Sequence, residues 1–229
     1  MFPTTRWTLI LASRQGRESN RAALEQLFAN YWKPVYFYLR RKGLAVEAAE
    51  DACQSFFMRL LEQDFLARLD PARGRFRSYL LTALDHHLVN LHERESAQKR
   101  GGAFRIVPLD AGLAERDLPA DASDPTAAYA REWALGLMER ALLRLSSEYE
   151  AGRRKGSAEV VTRFFALDRA PSYAEAARDS GMTVPQFKAS LHRARSRFRE
   201  ILREEVKETV DDDAAVDGEI AELVRALSA

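Results

Sequence analysis

Residues 171–205 read PSYAEAARDSGMTVPQFKASLHRARSRFREILREE, and this stretch decides the fold of the C-terminal half. Ser172 and Glu175 have the spacing of a capping box, in which two side chains satisfy backbone N–H groups at a helix start. Gly181 can adopt the left-handed conformation that follows a helix end. Thr183 and Gln186 then open a second helix in the same manner. The pattern predicts two short helices joined by a tight turn, a helix-turn-helix.

The second helix of this pair separates apolar from basic residues. Phe187, Leu191, Ala194, Phe198 and Ile201 recur at intervals of three and four, which predicts one buried stripe. The other positions carry side chains that can donate to phosphate or to base edges in the major groove. An ordinary solvated helix face would explain the same charges. We predict a DNA-reading face formed by Gln186, Lys188, His192, Arg193, Arg195, Ser196 and Arg199.

Charge is segregated along the chain, although the total is balanced. The 35 Lys and Arg residues and 34 Asp and Glu residues give a formal net charge of +1 at pH 7. The net charge alone therefore does not indicate whether the protein binds nucleic acid. Basic residues concentrate in residues 73–105 and 188–203, and acidic residues in 110–124 and 204–222. Such a chain can hold DNA at two places and keep other surfaces away from it.

The composition also bounds the chemistry. A single cysteine, Cys53, excludes an internal disulfide and argues against a cysteine-ligated zinc site. Its place on a predicted apolar stripe indicates a packing role. Glu47, Glu50 and Asp51 are a weak candidate for metal binding, since no histidine is fixed near them in sequence. No serine, histidine or cysteine has the context of a nucleophile, so we expect no catalytic site, no metal and no cofactor.

The apolar pattern predicts an all-α protein. Apolar residues recur at helical spacing almost throughout, and no alternating pattern indicates a strand. The apolar stretch near the start, residues 7–12, is too short for a signal sequence or a membrane span, so we expect a cytoplasmic protein that binds no membrane. Between residues 104 and 127 the helical spacing of apolar residues is lost and Pro and Asp are frequent, as in a flexible linker. We predict a helical bundle over residues 1–103, an acidic linker over 104–127, a helix-turn-helix domain over 128–207 and a short acidic, helical extension over 208–229.

Both halves of the chain resemble the extracytoplasmic-function (ECF) sigma factors of bacteria. The family's promoter-reading helix is similar to FKASLHRARSRFREIL, and its supporting helix and turn to SYAEAARDSGMTV. Independently, its acidic, glutamine-containing and aromatic helix is similar to AAEDACQSFFMRLL, and its promoter-melting segment to GRFRSYLLTALDHHLVNLHERESAQKRGG. Two motifs in this order, separated by a linker, are much more specific than either alone.

The two ends extend the resemblance to nearly the whole chain. The starting FPTTRWTLI and the terminal EIAELVRALSA resemble a planctomycete-type subgroup. Three positions depart from the family's pattern: Asp85 stands where a basic or amide residue is common, Ser190 replaces an arginine, and His92 stands where the subgroup has tryptophan. These departures affect individual DNA contacts and promoter preference.

The resemblance implies a subunit that directs transcription initiation and leaves catalysis to core RNA polymerase. The first domain would dock on the clamp of the largest polymerase subunit through Asp51, Gln54 and Arg59. It would also recognise and melt the minus-10 element of promoter DNA, while the second domain would sit at the polymerase flap and read the minus-35 element. Whether an anti-sigma factor is a further partner stays open. The melting residues that the resemblance implies are Arg75, Arg77, Tyr79, Asn90, His92, Arg94, Lys99 and Arg100.

Two other functions stay open from the residues alone. The first is a stand-alone helix-turn-helix regulator that binds an operator as a dimer. The second is a helical enzyme or interaction module whose DNA-like motifs are coincidental. The acidic extension, for its part, would either mask the basic face of the C-terminal domain or dock elsewhere.

Overall fold

The computed structural model describes residues 17–62, 75–98, 124–151, 172–210 and 213–228. Lys99, Arg100, the predicted linker as far as residue 123 and the predicted continuation of the next helix beyond residue 151 lie outside these ranges. Within the described ranges every regular element is helical, which confirms the all-α prediction. The elements are α1 (Arg17–Arg41), α2 (Val46–Glu62), α3 (Phe76–Gln98), α4 (Pro125–Ala151), α5 (Tyr173–Asp179), α6 (Val184–Lys207), a short 3-10 helix (Asp213–Ala215) and α7 (Val216–Ser228).

The chain forms two units, and the C-terminal extension belongs to the first of them. The first unit comprises residues 1–134 and 207–229, and the second comprises residues 135–206. The chain therefore passes between the units twice, once within α4 and once at the end of α6. None of the helices in the described ranges is long and apolar enough to cross a lipid bilayer.

Aromatic side chains dominate the core of the first unit. Tyr31, Tyr36, Phe37 and Phe56 are almost completely buried, and the rings of Tyr31 and Phe76 meet edge to face with centroids 5.3 Å apart. Such pairs contribute about 0.5–1.5 kcal/mol beyond the burial of their area. This packing joins α1 to α3 and fixes the start of α3, which is the predicted promoter-melting segment.

Two features of α1 show how local sequence sets its course. The helix continues through Pro34, where the sequence predicts an interruption or kink, and Tyr31 and Val35 on either side are buried. It ends at a Schellman motif: Gly43 has φ +93°, its N–H donates to Arg40 O at 3.1 Å, and the N–H of Leu44 donates to Leu39 O at 3.3 Å. The left-handed glycine satisfies the last carbonyls of α1 and starts the turn into α2.

Two apolar clusters form the core of the second unit. Ala141 and Leu145 of α4 pack with Ala194, Phe198 and Ile201 of α6. A smaller cluster joins α5 to the first half of α6, with partly buried Met182 packed against it; its members are Ala176, Ala177, Phe187 and Leu191. All five residues of the predicted α6 stripe are therefore buried, which leaves the other side of α6 for a partner.

Candidate nucleic-acid interface

The second unit contains the predicted pair of helices joined by a glycine turn. Ser172 Oγ accepts from Glu175 N at 3.3 Å, and Glu175 Oε2 accepts from Ser172 N at 3.0 Å, which completes the capping box of α5. The Ser172 hydroxyl, which donates to Glu175 Oε2 at 2.7 Å, and the Ser172 N–H lower the pKa of Glu175. Gly181, with φ +63°, then lets the chain turn into α6. Its N–H donates to Arg178 O, and that of Met182 donates to Ala177 O at 2.8 Å, a second Schellman motif.

A groove of about 730 Å³ lies between the start of α5 and the exposed side of α6. Lys188 Nζ lies 5.3 Å from the ring centroid of Tyr173, a cation–π contact that joins the two helices across the groove. Sequence reasoning missed Tyr173, although an exposed aromatic directly after the Ser172 cap was a usable signal. Four predicted DNA contacts line this groove: Lys188, His192, Arg195 and Arg199.

The charges of α6 are divided along its length. No acidic residue occurs between Val184 and Arg199, a stretch that holds five Lys or Arg residues and one histidine. Of these arginines, Arg197 pairs with Glu148 through two hydrogen bonds of 2.8 Å, which lowers the pKa of Glu148. The acidic residues of α6 follow in its last two turns. A run of cations with no carboxylate among them suits a role in anion binding.

The last turns of α6 are tied to α4 by ion pairs. Glu205 is buried, and its Oε2 lies 3.3 Å from Arg140 Nε. Arg144 contacts both Glu204 and Glu205. The C-terminal half of α6 is thus held in place by α4.

The remaining predicted contacts of α6 differ in their exposure. Gln186 is exposed, but its Oε1 accepts from Thr183 N at 2.9 Å and so caps the helix. Arg193 is exposed and Ser196 is partly buried; neither lines the groove. Ser190, where the family commonly has arginine, is 6% exposed and lies on the buried side. The departure at position 190 therefore does not alter the exposed face.

In the first unit, Arg75 and Arg77 are engaged by α7. Arg75 Nε lies 2.9 Å from Glu219 Oε2, and Arg77 Nε lies 2.8 Å from Glu219 Oε1. Both guanidinium groups also contact Glu222. The Arg77 guanidinium stacks over Trp133 at 4.3 Å from the ring centroid. Two of the residues predicted to contact DNA are therefore bound to carboxylates of the C-terminal extension.

The other predicted melting residues lie along α3. Tyr79 is 36% exposed, so it is not a core residue. Asn90 Nδ2 donates to the backbone oxygen of His86 at 2.6 Å, and His92 is exposed. Arg94 lies within α3, but its side chain is outside the described part of the structure, as are Lys99 and Arg100. The structure thus brings Arg75 and Arg77 together and leaves Tyr79, Asn90 and His92 spread along the helix.

A second groove, of about 940 Å³, separates α2 from α3. Asp51 and Gln54, two of the predicted polymerase contacts, line one side, and Asp85 and His92 line the other. Arg59 is partly buried on α2 and does not line this groove. Carboxylate, amide and imidazole groups here surround an otherwise apolar floor, so the groove can accept a mixed polar and apolar partner.

The family departure at Asp85 has an internal explanation. Asp85 Oδ1 accepts from the Tyr38 hydroxyl at 2.6 Å and lies 3.4 Å from Lys42 Nζ. Burial and the hydrogen bond to Asp85 raise the pKa of Tyr38. Asp85 therefore ties α3 to α1, and a basic side chain at this position would replace the ion pair with Lys42 by repulsion.

Neither metal nor thiol chemistry is built into the described residues. Within them, no group of three or more His, Cys, Asp or Glu side chains is placed to hold a metal ion. Cys53 is 1% exposed, with its Sγ 3.8 Å from Trp32 O, and burial raises its pKa to about 12. A thiol that stays protonated is a poor nucleophile, so packing is the role that the geometry gives Cys53.

The helices that line the α2–α3 groove match a known protein family. Residues 27–98 match the family model for sigma-70 region 2. The match runs from within α1 to the end of α3 and includes Asp51, Gln54, Arg59, Arg75 and Arg77. It shows a sigma-70 region 2 over these residues, which lie in the first unit. Comparisons with curated proteins and with solved structures give no significant match.

Proposed function

We propose that this chain is an ECF-type sigma factor. The first unit binds the clamp of core RNA polymerase and recognises and melts the minus-10 element. The second unit docks at the flap and reads the minus-35 element. The factor acts in the cytoplasm, where promoter DNA and polymerase are, and all catalysis belongs to the polymerase. An ECF-type factor needs only these two DNA-binding bodies.

One observation carries the proposal: the sigma-70 region 2 match lies on the same chain as a glycine-turned helix pair with a cationic groove. The exposed side of α6 offers cations, from Lys188 to Arg199, that donate to phosphate and to guanine, as a recognition helix does in the major groove. Region 2 alone would support polymerase binding, and the helix pair alone would support DNA binding. Their combination favours promoter recognition by a polymerase-bound factor.

The clamp contact is supported by the exposed side of α2. Asp51 is exposed and Gln54 is partly exposed beside the α2–α3 groove. An acidic and amide surface of this kind complements a basic, polar helix of a partner and steers its association. We expect Asp51→Lys to weaken core binding more than Asp51→Asn, because the lysine replaces attraction by repulsion.

In vitro transcription tests the proposal. Purified protein, core polymerase and a promoter library should yield promoter-specific transcripts that depend on the protein. Lys188→Ala/Arg195→Ala should remove the preference for the upstream element while core binding, measured by co-elution, is retained. Arg225→Ala, which removes a charge from an exposed position of α7, is the control and should leave the transcripts unchanged.

The same assay distinguishes the other readings. A stand-alone regulator would bind a duplex operator without polymerase and give no transcript. A helical enzyme or interaction module would do neither. The sigma-70 region 2 match disfavours both readings, because neither has a use for a polymerase-binding domain.

A further inference from the structure

Arg75 and Arg77 form a cationic pair at the start of α3, and α7 covers it. Glu219, from the first turn of α7, is fully buried and contacts both guanidinium groups. Glu222, one turn later, is one-third exposed and contacts both arginines. Trp133 forms the floor beneath Arg77, whose backbone oxygen also accepts from the Tyr129 hydroxyl at 3.2 Å. Trp133 and Tyr129 thus hold Arg77 in place, and the two glutamates of α7 neutralise both arginines.

This arrangement is a poor choice for stability alone. Burying a carboxylate requires its full desolvation, and a buried ion pair often adds less stability than an apolar contact of the same size. The geometry is also incomplete, because Arg77 Nε lies 2.8 Å from Glu219 Oε1 without an aligned hydrogen bond between them. An apolar residue at position 219 would extend the buried stripe formed by Val216 and Leu223.

Guanidinium groups of this kind bind carboxylate and phosphate by the same geometry. The planar fork of arginine donates two parallel N–H groups to either anion. Glu219 and Glu222, spaced three residues apart, each contact both arginines, and phosphate oxygens are acceptors of the same kind. The pair lies in the sigma-70 region 2 segment, at its predicted DNA-melting part.

The covering helix has few other anchors. Only Val216, Glu219 and Leu223 of α7 are buried, and Val224 is 56% exposed. A helix of 13 residues is marginal in water by itself, so α7 depends on its docking. With two buried apolar residues and two carboxylates as its main contacts, α7 can be displaced by a competing polyanion.

We propose that Arg75 and Arg77 are a phosphate-binding site for the DNA backbone, that Glu219 and Glu222 of α7 occupy it in the free protein, and that DNA displaces α7. This inference rests on the proposed function, since it gives that function a built-in restraint on DNA binding. The C-terminal extension then acts on the first unit rather than on the basic face of α6.

Binding of a fluorescein-labelled oligo(dT) strand to the full-length protein without polymerase tests the site. Glu222→Gln keeps the shape of the side chain and removes its charge. We expect it to raise the affinity about tenfold, as for a site that is open in roughly one molecule in ten and becomes fully open. Loss of the two phosphate contacts in Arg75→Ala/Arg77→Ala should flatten the slope of log K against log salt by about 1.4.

Matched variants separate displacement from a general change in charge. Asp217→Asn removes one negative charge from an exposed position of the same helix and should change the affinity less than twofold. Arg75→Ala/Arg77→Ala should abolish the gain caused by Glu222→Gln. Equal gains for Glu222→Gln and Asp217→Asn, or a gain that survives loss of the arginines, would overturn the proposal.

Hydrogen exchange on the unmodified protein gives a readout that needs no variant. Backbone amides of α7 should exchange faster when oligo(dT) is bound at saturation, and amides of α2 should not. Unchanged or slower exchange in α7 would show that DNA binds without displacing it. If α7 stays docked while promoter-specific transcripts appear, this inference fails and the proposed function stands. If α7 is released but no transcript forms, the phosphate site stands and the sigma-factor function fails.

Discussion

Glu222 makes the docking of α7 on Arg75 and Arg77 depend on pH. The hydrogen bond from Arg75 is the largest cause that lowers its pKa from 4.5 to about 2; burial opposes this, and Arg77 adds to it. Since the folded pKa lies below the unfolded one, Glu222 stabilises the docked state fully above about pH 4.5. That contribution is lost as the pH falls toward 2. Urea denaturation between about pH 6 and 3 should therefore show a fall in unfolding free energy that is smaller for Glu222→Gln.

Cys53 should be chemically silent in the folded protein. With a pKa of about 12, roughly one thiol in ten thousand is ionised at pH 8, and the side chain is also inaccessible. We expect Ellman's reagent to react with native protein only at the rate of unfolding, and to react promptly and fully in urea. Fast reaction of native protein would mean that α2 opens away from α1, and Cys53→Ala should remove the signal in both states.

The buried face of α7 shows what a single sequence can and cannot reveal about a residue. The apolar residues Val210, Ile220, Leu223, Val224 and Leu227 predict a helical extension, and the structure has a helix there. They do not say which side is buried: Leu223 is buried and Val224 is exposed, because the buried stripe follows Val216, Glu219 and Leu223. A glutamate in a stripe is normally read as an interruption. Its partner Arg77 is 142 positions away, and no local pattern encodes that distance.

At the scale of elements, Gly181 and Gly218 predict opposite effects of the same substitution. Gly181 has φ +63°, and a Cβ there would meet nothing within 4 Å, so Gly181→Ala costs only backbone strain, about 1–2 kcal/mol. Gly218 lies in the first turn of α7 with open space around it and no positive φ. Gly218→Ala should stabilise by up to about 1 kcal/mol through helix propensity. Denaturant midpoints of the two variants and the parent protein measure both effects.

Helix boundaries with a defined stop or start signal could be predicted closely. The sequence predicts that α1 ends around Lys42 and Gly43 and that α2 starts at about Val46, and the structure confirms both. It also confirms both capping boxes around the α5–α6 turn. The start of α4 lies at Pro125, a few residues before the predicted Ala128, since Asp124 Oδ1 accepts from the N–H of Thr126 and so opens the helix earlier. A helix start that depends on such a cap can be predicted only when the two-residue spacing between the capping side chain and the backbone N–H is recognised in the sequence.

At the scale of the molecule, the near-zero net charge hides a strong local field. The exposed cations of α6 should neutralise phosphates of a minus-35 duplex. Each cation that is lost should reduce the slope of log K against log salt by about 0.9. We expect Lys188→Ala/Arg195→Ala to flatten the slope by about 1.8, and Arg225→Ala to leave it unchanged. Fluorescence anisotropy at several salt concentrations measures the slope. Equal slopes for all three proteins would place DNA binding elsewhere.

The packing of α7 with the first unit was the feature that the sequence was least able to predict. Segregated charge and the linker composition predicted two DNA-binding bodies, and the apolar pattern predicted a helical extension. Which body the extension joins depends on Arg75 and Arg77, whose charges a sequence reading assigns to DNA. Carboxylate and phosphate compete for the same donors, so pattern alone cannot decide between them.

The discontinuity of the first unit also sets its order of assembly. The segment that covers Arg77 is synthesised 142 to 145 residues after it, which at about 5–20 residues per second is a delay of roughly 7–30 s. A ribosome-bound chain therefore displays an uncovered arginine pair beside an already formed aromatic core. The nascent protein should adhere to polyanions until α7 emerges and covers the pair.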